Sequence, residues 1–444
     1  MPAQAQAKSP TRFGASDLEE IWSFLSPFER LEGLRALPKA EASHFFRNLS
    51  ARDQADLILS LPPDRRLSWL QILEPDDLAD MLQEVSSEDR RDLMVPLDEL
   101  KRKEVNALLA YAEDVAGGVM NPRFVRLRPD MTVEEAFSYL RRQAQGEVET
   151  FYEAYVLGPD QRLLGVVDFK GLFSAPDNSV ICDIMRTNVV TAPEDMDQET
   201  VSRLFKQYDL VAIPVVDAEG RMKGVVSIDD IVDVVQEEAT EDIQKMGATE
   251  SLNAPYLKVG FFEMVRKRAG WLSALFLGEM LTATAMAFFE HEIAKAVVLA
   301  LFIPLIISSG GNSGSQATTL VIRAMALGDV RLRDWFKVIR RELASGLALG
   351  LILGTIGYCR IMLWPSRTQI YGQHYSWVAA TIFFSLIGVV MFGTIAGSML
   401  PFLLRRMRLD PASASAPFVA TLVDVTGLVI YFTVAQVILS GILL

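Results

Sequence analysis

The sequence predicts a multidomain chain: an all-α solenoid N-domain, an α+β domain built as a tandem repeat, and a five-helix α transmembrane domain. Three observations carry that prediction. Charge and polarity divide unequally along the 444 residues, a 12-residue period runs through the first quarter, and a longer repeat precedes an apolar second half.

From Trp271 to Leu444 eight acids face twelve basic residues, so of the net −13 residues 1–270 carry −17. Two different solvents are implied. The opening MPAQAQAKSP has neither the apolar core nor the cleavage-like site of a secretory signal, which places the acidic part in the cytoplasm. Cys182 and Cys359 make neither a disulfide framework nor a metal cluster.

The N-domain, residues 1–115, is periodic over 37–108: LPKAEASHFFRN, LSARDQADLILS, LPPDRRLSWLQI, LEPDDLADMLQE, VSSEDRRDLMVP and LDELKRKEVNAL. Each unit opens on an aliphatic residue, passes through a Ser, Pro or acidic capping cluster, and continues as a short amphipathic helix. Units this small cannot bury their apolar faces alone, so they must stack into a solenoid with an acidic surface.

A second repeat spans 116–178 and 179–244. VMNPRFVRLRPDMTVEEAFSYLRRQ matches IMRTNVVTAPEDMDQETVSRLFKQ, and LLGVVDFKGLF matches MKGVVSIDDIV. Each half reads as strand, helix, two strands joined by a hairpin (GPDQ, DAEG), then helix. This pattern resembles a pair of CBS domains, which usually act as ligand-responsive regulatory modules.

A bilayer core of about 30 Å takes about 20 apolar helical residues. Five segments qualify, near 270–290, 294–324, 342–363, 376–404 and 414–444, so residues 271–444 form the membrane domain. Arg331, Arg333, Lys337, Arg340 and Arg341 follow the second segment, and Arg405, Arg406 and Arg408 follow the fourth. Basic loops mark the cytoplasmic side, so the C-terminus is expected outside. Residues 245–270 are expected as a connecting helix, with NAPYLKVGFFEMVRKRAG along the inner membrane surface.

Three constellations carry chemistry. The second segment holds PLIISSGGNSGSQATTLVIR, whose Gly310, Gly311 and Gly314 allow either tight helix packing or a break lining a polar path, with Asn312, Ser313, Ser315 and Gln316 favouring the path. Asp424, in FVATLVDVTGLVIYF, is a carboxylate at bilayer depth that must be protonated or paired, and spans four and five have no interior Lys or Arg to pair it. Pro417, Ala420, Thr421, Asp424 and Gly427 share one small, polar helix face, which favours a hydrated divalent cation as the partner, Mg²⁺ in particular. Third, SIDDIVDVVQEEATEDIQKMGA crowds Asp229, Asp230, Asp233, Glu237, Glu238, Glu241 and Asp242 together, an arrangement that cations would close and repulsion would open.

These residues together resemble the MgtE family of magnesium transporters and channels. The resemblance rests on AEDVAGGVM, EEATEDIQKMGA, PLIISSGGNSGSQATTLVIRA and LRRMRLDPASASAPFVATLVDVTGLVIYF, in order along the chain. It implies a homodimer in a bacterial inner (plasma) membrane, a Mg²⁺ path along the dimer axis, and cytosolic Mg²⁺ sensing that shuts the path when Mg²⁺ is high. By motif, Asp424 matches the pore carboxylate, Asn312 the GGN motif and Asp410 an acid at the inner end of the path. Asp230, Asp233, Glu238, Glu241 and Asp242 match sensor acids, as do Asp197, Glu199, Asp209, Asp76 and Asp80. Ser227-Ile-Asp-Asp230 has the Ser-x-x-Asp form with which CBS domains often hold a ribose, which implies an adenine nucleotide such as ATP. Glu279, midway along the first span, matches no motif of the family.

Alternative readings are a Mg²⁺ or Co²⁺ exchanger coupled to Na⁺ or H⁺, with Glu279 as the extra titrating site, and a membrane sensor switched by nucleotide at the CBS pair. An anion channel is disfavoured because the deep charges are acids. No enzyme is expected: His44, His291 and His374 are scattered and no phosphate loop, nucleophile elbow or metal-hydrolase helix is present. The lipid bilayer is an expected partner and nucleic acid is not.

Overall fold

The computed structural model describes residues 13–143, 153–252, 256–257 and 259–443. The chain forms two compact units, residues 1–236 and 237–444.

In the first unit the period is visible in the helix starts: Pro27–Ala36, Lys39–Arg47, Ala51–Ser60, Pro63–Leu70, Pro75–Gln83, Ser87–Met94 and Glu99–Leu108 begin every 12 residues, after a first helix Ala15–Ile21. The repeat thus starts one unit before residue 37, at LSPFERLEGLRA. Ser26, Ser50, Ser86 and Asp98 accept the N3 amide of their helices, which is why the units start where they do. The helices starting at 27, 51, 75 and 99 pack on one another in succession, so the inner layer uses every second unit.

Helix ends are closed by the following unit. From the fourth position of their helices, Arg30 donates to Trp22 O, Gln54 to Phe46 O, Arg66 to Leu59 O and Leu61 O, Arg90 to Leu82 O and Arg102 to Val95 O and Leu97 O, at 2.6–3.2 Å. The helices Lys39–Arg47 and Pro75–Gln83 have Ala42 and Leu78 at that position, and in place of the second the buried Lys101 serves Gln71 O and Leu73 O. Each such bond supplies carbonyls that a helix end leaves without partners. Arg30 also forms a buried ion pair with Asp53 at 2.9 Å.

The tandem repeat gives two three-stranded sheets, β1 (Arg126–Leu127), β2 (Glu153–Leu157) and β3 (Leu163–Asp168), then β4 (Ala192–Pro193), β5 (Ala212–Val216) and β6 (Met222–Ser227). In each the first pairing is parallel and the second antiparallel. The halves exchange their entry segments: Asn121 bridges Val225, and Arg186 bridges Val166. Tyr155, Leu157, Val166, Ala212, Met222 and Val225 fill the space between them. The solenoid core continues into the second half, where Leu78 and Leu82 belong to the same apolar cluster as Val201, Phe205 and Val226.

In the second unit five helices are long and apolar enough to cross a membrane: Phe261–Phe288, Val297–Ala326, Leu332–Met362, Tyr375–Arg406 and Ala416–Leu439. The fourth packs on the second, third and fifth, while the first rests mainly on the fifth. The expected connecting helix at 245–270 is not one element. An exit helix, Ile228–Met246, ends where Ala248 adopts φ +58°, and residues 261–270 already belong to the first span's helix. No residue from Phe261 onward breaks that helix, since glycine alone is tolerated within it. Arg266, Lys267 and Arg268 therefore lie on the first span's own helix; residues 253–255 and 258 of the link lie outside the described residues.

Candidate functional site

The glycines of the second span are a packing device. A methyl group at Gly393 or Gly397 of the fourth span would overlap the carbonyl oxygens of Gly310 and Gly314, so spans two and four meet backbone to backbone. Ser313 shares a 2.7 Å hydrogen bond with Thr394, Ser315 donates to Ala416 O at 3.2 Å, and Thr318 donates to Gly397 O at 2.8 Å. Ser313 and Ser315, expected to favour a lumen, are thus used between helices. The second-span helix is unbroken through the motif.

What remains open is a separate stripe. Ser308, Asn312 and Gln316, spaced by four residues, are all exposed, and Asn312 donates only locally, to Ser308 Oγ at 3.4 Å. Asp424 lies half-buried in the fifth span, and no hydrogen bond or ion pair from the described residues reaches its carboxylate. Its face packs through Ala420 against Gly311 of span two and through Thr421 against Gly278 of span one. That second crossing brings Glu279 within electrostatic reach of Asp424. Sequence reading noticed Glu279 but could not place it, because its neighbour lies four spans later.

In the first unit a second set of acids gathers. Asp76, on the inner solenoid helix Pro75–Gln83, is buried and accepts Asn121 Nδ2 at 3.2 Å. Burial holds its pKa well above the ordinary carboxylate value, and the nearby charges of Asp230, Asp77 and Asp80 raise it further. Burial likewise pushes Asp230 up to about 6, against hydrogen bonds from Ser227 that favour its charged form, with Asp229 and Asp233 adding repulsion. Burial and Asp229 also raise Asp233. The structure therefore brings Asp76, Asp80, Asp230 and Asp233 together. Ser227 and Asp230, the expected ribose pair, are hydrogen-bonded to each other.

Other expected ligands have local duties. Asp197 caps the helix Gln198–Tyr208 through the Glu199 amide at 2.9 Å, Glu199 faces Arg203 at 3.7 Å, and Asp209 ends that helix at φ +50°. They sit at helix ends because Asp caps N-termini and tolerates the left-handed region. Glu241 and Asp410 meet in the second unit, but around an ammonium group: Lys245 Nζ lies 2.7 Å from Asp410 Oδ2 and pairs with Glu241. Glu238 and Asp242 lie on the same exit helix. Among the described residues no three His, Cys, Asp or Glu side chains converge as a ligand set for a metal ion.

Comparison with known proteins covers almost the whole chain. A family described as divalent cation transporter matches residues 303–434, the MgtE intracellular N domain matches 14–114, and the CBS domain matches 113–178 and 181–237. The chain is 41% identical over 429 residues to the magnesium transporter MgtE of Thermus thermophilus, covering 96% of this chain and 93% of that one. It is 32% identical over 336 residues to the magnesium transporter MgtE of Enterococcus faecalis, covering 75% and 71%. A crystal structure of the cytosolic domain of the Mg²⁺ channel MgtE in complex with ATP shares 42% identity, covering 50% of this chain and 90% of that one, at a TM-score of 0.47.

Proposed function

The chain belongs to the MgtE family of divalent cation transporters, and from that premise we propose that it moves Mg²⁺ through the plasma membrane into the cytosol, down its electrochemical gradient. The observation that carries this reading is Asp424: a half-buried carboxylate in a membrane span with no basic partner among the described residues. An acid at that depth costs about 2.5–3.5 kcal/mol unless it faces water, protein or a cation. Asn312 and Gln316 on the open face of span two offer amide oxygens to the same passage, and Glu279 adds a second carboxylate.

As a two-fold homodimer the protein would present two copies of Asp424, −2 against +2, which suits an ion that keeps several waters and is held by one or two carboxylates. A cytosol negative by about 100 mV supplies roughly 4.6 kcal/mol of inward drive per divalent ion, so no second ion is required. The N-terminus is cytoplasmic and the C-terminus outside in this reading, in keeping with the basic loops after spans two and four.

Regulation falls to the acids of the first unit. At low internal Mg²⁺ the Asp76, Asp80, Asp230 and Asp233 carboxylates repel; at high Mg²⁺ the cation screens them and the solenoid closes on the second CBS half. Glu238 and Asp242 extend the acidic surface of the exit helix toward the membrane unit in sequence. Adenine nucleotide, ATP included, is the ligand that Ser227 and Asp230 would hold if their mutual bond opened. The Mg²⁺ and the ribose would then compete for Asp230.

The test is Mg²⁺ flux into liposomes holding the wild type, Asp424→Asn and Glu279→Gln. Asp424→Asn is expected to lower flux at least about tenfold, the equivalent of 1.4 kcal/mol, and Glu279→Gln to lower it less. Unchanged flux in Asp424→Asn would remove that acid from the path.

A further inference from the structure

Lys245 lies one residue before the end of the exit helix, with its ammonium between two carboxylates: Asp410 Oδ2 at 2.7 Å and Glu241, one turn earlier on its own helix. Both acids were expected to hold Mg²⁺. Here a covalently tethered cation already does that work. All three side chains are about one-third exposed, so the tie is open to water and can break and re-form.

What the tie grips is the entrance to the fifth span. The other oxygen of Asp410 accepts the Ala412 amide at 2.8 Å. Ser415 caps the fifth-span helix by accepting the Phe418 amide at 3.3 Å, and it is held in turn by Trp271 Nε1 of the first span at 3.3 Å. Met246 packs beside Ala412, Ala414 and Ile322. A cavity of about 430 Å³, lined by Glu241, Lys245, Trp271 and Ser413 among others, runs alongside. From the first residue of the span, Ala416, Asp424 is eight residues and about 12 Å further along a helix of 1.5 Å rise, so a shift at the entrance is carried to the acid.

We propose that Lys245 is a positioning residue for transport: its ion pair with Asp410 fastens the sensor's exit helix to the entrance of the fifth span, and through that attachment Mg²⁺ sensed in the cytosol acts on Asp424. This rests on the transport reading above. Without the ammonium, Glu241 and Asp410 are a like-charge pair, and the apolar contact of Met246 is left to hold the helix against their repulsion.

The experiment measures flux into liposomes against internal Mg²⁺ for the wild type, Lys245→Met, Lys245→Arg and the charge swap Lys245→Asp with Asp410→Lys. Lys245→Met is expected to raise the half-inhibiting internal Mg²⁺ about three- to tenfold, Lys245→Arg to keep the wild-type value, and the swap to recover more inhibition than Lys245→Asp alone. A wild-type inhibition curve in Lys245→Met, or a swap no better than the single change, overturns the proposal. A second arm needs no transport: in a chain carrying Cys182→Ser and Cys359→Ser, the pair Lys245→Cys and Asp410→Cys should be joined within one chain by a short bifunctional thiol reagent, read by mass spectrometry. Failure to join them overturns the contact even where Lys245→Met does not fold. A wild type that carries no Mg²⁺ sinks the transport reading alone, and the cross-link then decides the tie.

Discussion

Replacing Asp76 by Asn should make the first unit more stable at neutral pH, although it alters a buried residue. Asp76 is buried beside Asp230, and both carboxylates are shifted toward their neutral forms. With folded-state pKa values above the unfolded ones, the folded chain holds extra protons; stability is full below about pH 4 and is lost as pH rises through the folded values. Burial and the neighbouring charges of Asp230 and Asp77 oppose ionisation of Asp76, and that opposition is what Asn removes. Asn is nearly isosteric, keeps an oxygen for Asn121 Nδ2, and cannot ionise. The expected outcome is a gain near pH 7, on the order of the 1–3 kcal/mol that a badly served buried polar group costs, and almost nothing near pH 4; each kcal/mol is about 2–4 °C in Tm for a unit of this size. Thermal unfolding of a fragment covering residues 1–246, followed by Trp22 and Trp69 fluorescence, reads it. Mg²⁺ should raise the wild-type midpoint and leave that of Asp76→Asn nearly unmoved. A variant less stable than wild type near pH 7 without Mg²⁺ would show that the Asn121 bond outweighs the repulsion and would refute the reasoning.

Two further outcomes follow from packing. Arg30→Ala should cost about 3–5 kcal/mol in denaturant unfolding of the same fragment, because it takes the guanidinium from the buried Asp53 carboxylate; a loss under about 1 kcal/mol would mean that water and the Ser50 hydroxyl suffice for the acid. Gly397→Val should drive a branched side chain into Gly314 O and separate spans two and four, lowering the temperature at which the purified protein leaves its monodisperse peak, since overpacking costs about 1–3 kcal/mol. An unchanged peak would show that the helices can part without loss.

Local features were legible in the sequence because they repeat. Ser and Asp caps every 12 residues announce the solenoid, the matched halves announce two sheets of the same order, and a charge-free stretch from Ser376 to Leu404 announces a span. Features made by distant partners were not. Lys245 finds Asp410 165 positions away, so Glu241 and Asp410 looked like free acids. The Gly310 and Gly314 carbonyls meet Gly393 and Gly397 only once spans two and four are side by side, and composition alone leaves packing and pore open. Asp76 was one acid among many in a repeat whose register slips by 12; burial against Asp230 is what sets it apart. The amphipathic residues 261–270 read as a separate link, whereas they are continuous with the first span's helix.

The backward-reaching arms of the solenoid have a consequence for how the chain is made. The Trp22, Phe46, Leu59, Leu82 and Val95 carbonyls each accept from a side chain seven or eight positions later, and Leu73 waits for Lys101. On the ribosome these ends therefore emerge unsealed until a later unit follows, and the last to be sealed depends on the longest reach. Ageing or proteolysis meets the same asymmetry: trimming from the front leaves an arm in water, whereas trimming from the back uncovers carbonyls inside the stack, so the domain should fray toward its beginning rather than from it.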